Sequence, residues 1–175
     1  MRIVVINGMP RSGKDTFVGM CQEIIGEKRC LNVSTVDFVK EVAAYCGWDK
    51  TKTPQNRAFL SDLKDLLTQW NDIPYKDIEN RIKIFKRQLF FNSIPEDKAV
   101  VFIHCREPEE IDKFARRMKA ITLLVRRVQV EDAEQSNHAD KEVFNHEYDC
   151  VVHNNGTIDD LKEVAREFLS FLFIK

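Results

Sequence analysis

Short runs of consecutive apolar residues alternate along the chain with longer segments whose apolar residues recur every three or four positions. Runs that are apolar throughout are typical of strands buried on both faces of a parallel sheet, whereas the longer segments have the helical period. Strands and helices are therefore predicted to alternate as in an α/β domain. The five predicted strands are 3–7, 31–36, 99–105, 120–125 and 149–154.

Two connections between these strands are unusual. The first, about 37–93, divides into three amphipathic segments, so we predict a helical insert at 37–46, 54–69 and 74–91. The aromatic residues near its end, Phe85, Phe90 and Phe91, have helical spacing and are predicted to pack in the core or under a lid. The second connection, about 126–148, is rich in charge and weakly periodic, which favours a short lid over a site. A last helix, 158–173, is predicted behind the possible N-cap Thr157.

Composition limits the kinds of partner. A chain of 175 residues with 43% hydrophobic content fits a single domain, 1–175. Its 27 basic and 28 acidic residues nearly cancel, which argues against binding a nucleic acid polymer. The five cysteines are odd in number and contain no C-x-x-C pair, which favours a reducing compartment. No apolar stretch approaches the ~18 residues of a membrane span, so we expect a cytoplasmic protein with no membrane partner. The sequence does not indicate an oligomeric state.

Residues 8–16, GMPRSGKDT, follow the first predicted strand and open a helical stripe. Gly8, Gly13 and Lys14 fit the phosphate-loop pattern G-x-x-x-x-G-K-[ST]. The glycines let backbone amides turn toward phosphate oxygens, the helix N-terminus adds partial positive charge, and Lys14 adds a full one. The predicted nucleotide site consists of Gly8, Arg11, Ser12, Gly13, Lys14, Asp15 and Thr16.

Asp15 stands where the general pattern has a hydroxyl residue. A carboxylate beside a triphosphate is repelled unless a cation lies between them, so Asp15 suggests a magnesium ligand or a salt bridge. A third interpretation is a favourable anion at a helix N-terminus.

The sequence R-S-G-K-D-T (11–16) resembles the loop of phage-type deoxynucleoside monophosphate kinases and of animal phosphomevalonate kinases, both of which use G-K-D. The resemblance implies a P-loop NTPase three-layer sandwich, with ATP and Mg²⁺ as cofactors. It also implies that Asp15 belongs to a working site.

Three further stretches resemble the deoxynucleotide kinases. Asp37, Lys40, G-W-D-K (47–50) and Arg57 resemble their substrate-side segment. In H-C-R-E-P-E-E (104–110), Arg106, Pro108 and Glu110 match the family, but His104 replaces the aspartate that helps to organise magnesium. The last stretch, 148–161, resembles the final strand and helix of nucleoside monophosphate kinases, which implies that Asn154 and Gly156 lie near the adenine.

Phosphoryl transfer depends on positioning and charge neutralisation, so arginines are the residues to seek. Arg106 and Arg126 or Arg127 follow predicted strands, and the carboxyl ends of parallel strands form the ligand crevice. We assign catalytic roles to Lys14, Asp15, Arg106 and Arg126, and acceptor binding to Asp37, Lys40, Arg57 and Arg106. For Arg57, Arg126 and Arg127 a structural ion pair is an equal alternative. His104 could accept a proton or bind metal, but a hydrogen-bonded structural histidine is the better interpretation.

The favoured hypothesis is a phosphotransferase that moves the γ-phosphoryl of ATP to a small phosphorylated acceptor, with a (deoxy)nucleoside monophosphate preferred. One alternative is a non-catalytic nucleotide-binding protein, which His104 favours. The other is a kinase for a different phosphate such as phosphomevalonate. The sequence does not identify the acceptor.

Overall fold

The computed structural model describes residues 1–131 and 143–174. Five strands form one sheet in the order β2-β3-β1-β4-β5, and every neighbouring pair is parallel. The strands are β1 (Arg2–Asn7), β2 (Cys30–Ser34), β3 (Val100–His104), β4 (Ile121–Arg126) and β5 (Cys150–His153). The predicted five-stranded parallel α/β fold is confirmed.

Helices connect the strands. The helices in the described residues are α1 (Lys14–Ile25), α2 (Asp37–Tyr45), α3 (Pro54–Asn71), α4 (Ile73–Phe91), α5 (Pro108–Met118), α6 (Val128–Glu131) and α7 (Ile158–Phe173). The three amphipathic segments between β2 and β3 are α2, α3 and α4. Helix α7 begins at a capping box, in which Thr157 and Asp160 bond reciprocally, as the predicted N-cap requires.

Two buried layers cover the faces of the sheet. On one face α1 and α7 pack together, and the Phe17 and Phe168 rings meet edge to face with centroids 5.5 Å apart. On the other face α4 and α5 cover β1, β2 and β3, with Ile78, Leu89 and Phe114 among the buried side chains. The result is a three-layer sandwich whose strand ends converge beside the start of α1.

Two expectations about burial were wrong. Phe85 is buried, but Phe90 and Phe91 are 79% and 81% exposed, because the last turn of α4 runs past its final buried residue, Leu89. Strand β5 is not covered on both faces: it is an edge strand, and Val151 is 47% exposed.

The predicted lid, about 126–148, lies partly outside the described residues. Its first part contains the short helix α6, and its last part, from Val143 onward, turns back to the sheet. Whether the segment acts as a lid stays a prediction. In the described part of the chain, no helix combines the length and apolar character needed to cross a membrane.

Candidate nucleotide and acceptor site

The loop between β1 and α1 has the geometry of an anion-binding turn. The Ser12 N–H donates to the Met9 carbonyl at 3.1 Å, and Gly13 adopts a left-handed conformation with φ 90° immediately before Lys14 begins α1. A residue with a side chain is strained at that φ. Arg11 is nevertheless left-handed, with φ 66°. The turn aims the first amides of a 12-residue helix at the loop's interior, which suits a phosphate.

Both loop glycines are required by close packing. A Cβ on Gly8 would come within 2.5 Å of the Val125 carbonyl oxygen and 2.6 Å of Ser12 Oγ. A Cβ on Gly13 would collide with the side-chain amide of Asn154. The loop is therefore packed tightly against the ends of β4 and β5.

Asn154 holds the loop in place. Its side-chain amide donates to the Ser12 carbonyl at 2.9 Å, and its backbone N–H donates to the Arg126 carbonyl at 2.7 Å. Gly156 leaves room for the Asp160 carboxylate, which a Cβ would approach to 2.5 Å. These contacts are structural, so the adenine contacts implied for Asn154 and Gly156 remain predictions.

His104, at the end of β3, lies among the predicted charged groups. Its Nδ1 is 3.5 Å from the Asp15 carboxylate, whose side chain is 85% exposed. Burial lowers the pKa of His104, while Asp15 and Asp37 raise it, and Lys14 and Arg106 lower it further. Lys14 precedes Asp15, Arg106 follows His104 by two residues, and Asp37 accepts from Ser34, which pairs with His104 in the sheet. These charged residues therefore lie at the same end of the sheet.

Arg106 follows β3 and is tied to the phosphate loop through its backbone. Asn7, which is 1% exposed, donates to the Arg106 carbonyl at 3.3 Å and accepts from the Gly8 N–H at 2.8 Å. On the other side of β1, the Arg126 guanidinium stacks 5.2 Å from the centroid of the Phe144 ring. Both predicted arginines are thus anchored by residues that the sequence analysis did not single out.

A cleft of about 480 Å³ separates α2 from the start of α3. The residues that line it are Lys40, Glu41, Ala44, Trp48, Lys50, Thr51, Lys52, Arg57 and Leu60. The one carboxylate among them, on Glu41, is 2.7 Å from Arg81. Four of the lining residues are basic, but most of the accessible lining is apolar. Lys40 and Arg57 therefore share a surface, whereas Asp37 accepts from the Ser34 N–H at 2.8 Å and lies nearer His104.

A second cluster of interacting side chains includes Cys105, the residue before Arg106. Lys64 of α3 pairs with Glu110 of α5 at 2.6 Å, and the Cys105 thiol is 3.3 Å from the same carboxylate oxygen. Burial raises the pKa of Cys105 well above its ordinary value, which makes it an inert thiol. Burial acts to lower the pKa of Lys64, but Glu110, with smaller contributions from Cys105 and Glu107, outweighs it and the pKa is raised. No local sequence signal marks this pair, because its members are 46 positions apart.

No protein-family model matches the sequence, and the comparison with curated proteins found no match. Solved structures that resemble the chain include shikimate kinase from Aquifex aeolicus, at 15% identity, covering 97% of this chain and 98% of that one, with a TM-score of 0.47. A mutant of the Mycobacterium tuberculosis APS kinase has 14% identity, 97% and 96% coverage, and a TM-score of 0.43. A putative kinase from Chloroflexus aurantiacus has 10% identity, 97% and 96% coverage, and a TM-score of 0.45. The fold assignment, a P-loop-type α/β sandwich, rests on the chain's own strand order and loop geometry.

Proposed function

We propose that the chain is an ATP- and Mg²⁺-dependent phosphotransferase whose acceptor already carries a phosphate. The observation that carries this proposal is that Asn7 joins the phosphate loop, which leads to Lys14, to the backbone of Arg106 after β3, next to the 3.5 Å contact between His104 and Asp15. One basic group suits the donor phosphates, and a second suits an acceptor phosphate. The preferred acceptor is a (deoxy)nucleoside monophosphate.

The residues of the phosphate loop and the start of α1 are suited to binding ATP and magnesium. The amides at the start of α1 and the Lys14 ammonium would hold the β and γ phosphates. The exposed Asp15 carboxylate is a hard oxygen ligand of the kind that Mg²⁺ prefers, and the next residue, Thr16, is also exposed. When bound, ATP supplies the phosphoryl group and Mg²⁺ offsets its charge. Arg106 and Arg126 would neutralise charge on the transferring group.

The cleft between α2 and α3 supports an acceptor with a planar, partly apolar end. Lys40 and Arg57 offer positive charge, and Trp48 offers an aromatic surface for stacking. A nucleoside monophosphate combines an anion with a planar base, whereas phosphomevalonate has no ring to stack. The shape and charge of the cleft thus favour the nucleotide among the phosphorylated acceptors.

His104 favours a second candidate, a nucleotide-binding protein without catalysis. The residue has no negative charge to hold magnesium or its waters, and burial keeps its pKa low. Asp15 lies beside it and Asp37 lies nearby, so one of these two carboxylates would have to replace the missing one. Binding of ATP without turnover is the outcome that this alternative requires.

A coupled assay of ADP release tests the proposal. We expect turnover with at least one of the common nucleoside or deoxynucleoside monophosphates, and none above background with the matching nucleoside. Arg106→Lys should raise the acceptor's KM about tenfold and leave the KM for ATP unchanged. The reason is that lysine lacks the planar guanidinium, which can donate two hydrogen bonds to one phosphate.

Equal turnover of a nucleoside and its monophosphate would contradict the acceptor assignment. Turnover of phosphomevalonate alone would support the non-nucleotide alternative. ATP binding without ADP release on any acceptor would support the non-catalytic one.

A further inference from the structure

The residues from Val143 to Tyr148, which we term the return segment, bring the chain back to the sheet just before β5. Val143 is fully buried and packs with Met9 of the phosphate loop and Leu124 of β4. An apolar contact thus joins the return segment directly to the loop that is proposed to hold ATP.

The Tyr148 hydroxyl makes two hydrogen bonds that fit its single proton. It donates to the Val143 carbonyl at 2.9 Å, which closes the return segment on itself, and it accepts from the Asn7 amide at 2.8 Å. Burial raises the pKa of Tyr148 to about 12, so the hydroxyl stays protonated near neutral pH.

The hydrogen bond that Asn7 donates to Tyr148 fixes the orientation of the Asn7 side-chain amide. The amide nitrogen of Asn7 faces Tyr148 and the Arg106 carbonyl, which leaves its oxygen to accept from the Gly8 N–H. One buried side chain therefore connects the return segment, the start of the phosphate loop and the residue proposed to bind the acceptor phosphate.

The return segment also contacts the second arginine and an outer helix. The Phe144 ring lies 5.2 Å from the Arg126 guanidinium carbon, a distance at which a cation–π interaction orients the charge. His146 packs against Tyr148, with ring centroids 4.8 Å apart, and its Nε2 is 2.9 Å from the Asp112 carboxylate of α5. His146 thus attaches the return segment to α5, while Phe144 and Tyr148 contact residues of the site.

We propose that the return segment positions both arginines of the site, Arg106 through the Tyr148–Asn7 hydrogen bond and Arg126 through the Phe144 ring. This inference rests on the proposed function, since it concerns how the two charges are aimed at the transferring phosphoryl group. Tyr148, Asn7 and Phe144 are positioning residues, because none of them is placed against a substrate.

Tyr148→Phe removes one hydroxyl and keeps the ring. It should lower kcat/KM for the acceptor about tenfold, as expected for one buried hydrogen bond that orients a charged group, and leave the ATP dissociation constant within twofold. Phe144→Leu should lower kcat about fivefold by loosening Arg126. Tyr45→Phe and Phe91→Leu make the same chemical changes at side chains that are 94% and 81% exposed, and they should have no effect.

A double-mutant cycle separates positioning from a general loss of stability. If Tyr148 acts through Arg106, Tyr148→Phe should have less than a twofold effect when added to Arg106→Lys, and the same should hold for Phe144→Leu added to Arg126→Lys. Additive effects on kcat/KM in both cycles, or single variants equal to their controls, would overturn the inference while leaving the proposed function intact. A wild-type protein that transfers phosphate to no acceptor would instead overturn the proposed function and this inference with it.

Discussion

Asp15 brings a carboxylate to the first turn of α1, in a loop otherwise arranged to attract anions. Its side chain is mostly exposed, and its carboxylate lies 3.5 Å from the Nδ1 of His104. Because burial lowers the pKa of His104, a neutral imidazole faces the carboxylate near neutral pH, and a neutral ring compensates little negative charge. A cation bound between Asp15 and the phosphates would remove this repulsion, and this is the role that we expect for the residue.

Asp15→Asn tests this cation role. With Mg²⁺ present, calorimetry should show ATP binding weakened about tenfold, because a hard anionic ligand is lost. With the metal chelated, binding should be unchanged or tighter, because the repulsion is removed. Asp159→Asn, at the exposed first turn of α7, alters a helix N-terminus outside the site and is the matched control. Tighter ATP binding of the variant in Mg²⁺ would show that Asp15 is only a helix-terminus anion.

Two ion pairs connect helix α3 and the residue after it to helix α5. It contains no fully buried residue, yet Lys64 reaches Glu110 of α5 in an ion pair with side chains only 12% and 18% exposed. Just past its end, Asp72 pairs with Lys113 of the same helix α5. In the first pair the positive charge is on α3, and in the second it is on α5. This alternation favours one alignment of α3 along α5.

Lys64→Met should therefore be strongly destabilising. Removing one partner leaves the Glu110 carboxylate buried and unpaired, at a cost of about 3 kcal/mol in the free energy of unfolding. Lys86→Met, which breaks a half-exposed pair with Glu96 at 3.5 Å, should cost less than about 1 kcal/mol. Urea titrations of both variants give the comparison. Adding Glu110→Leu to Lys64→Met should recover most of the loss, and an equally unstable double variant would contradict the ion-pair explanation.

The features of the whole molecule that could be predicted are those encoded by residues close together in the sequence. Apolar runs identified all five strands to within two residues at either end, and the loop glycines with Lys14 marked the start of α1. The Tyr148–Asn7 and Lys64–Glu110 contacts were not predictable, because they join residues 141 and 46 positions apart whose approach depends on the packing of helices on the sheet. Exposure of Phe90 and Phe91 was missed for the same reason: helical spacing does not reveal where a helix leaves the core.

The burial of His104 should make the stability of the whole protein depend on pH. Burial lowers the pKa of His104 in the folded protein, so in the window just below pH 6.5 the unfolded chain binds a proton there that the folded chain does not. Stability should therefore fall as the pH is lowered through this window. Chemical denaturation of the metal-free protein between pH 7.5 and 5.5 should show a smaller slope for His104→Asn than for the wild type. Identical slopes would mean that His104 carries no such burial penalty.

The most direct test of the central claim follows the γ-phosphoryl group itself. Protein incubated with γ-labelled ATP, Mg²⁺ and nucleoside monophosphates should move the label into a nucleoside diphosphate, resolved by thin-layer chromatography, and Lys14→Ala should abolish the transfer because the loop loses its fixed positive charge. Label released only as inorganic phosphate, or transferred equally well by Lys14→Ala, would contradict the account of a phosphotransferase that uses this loop.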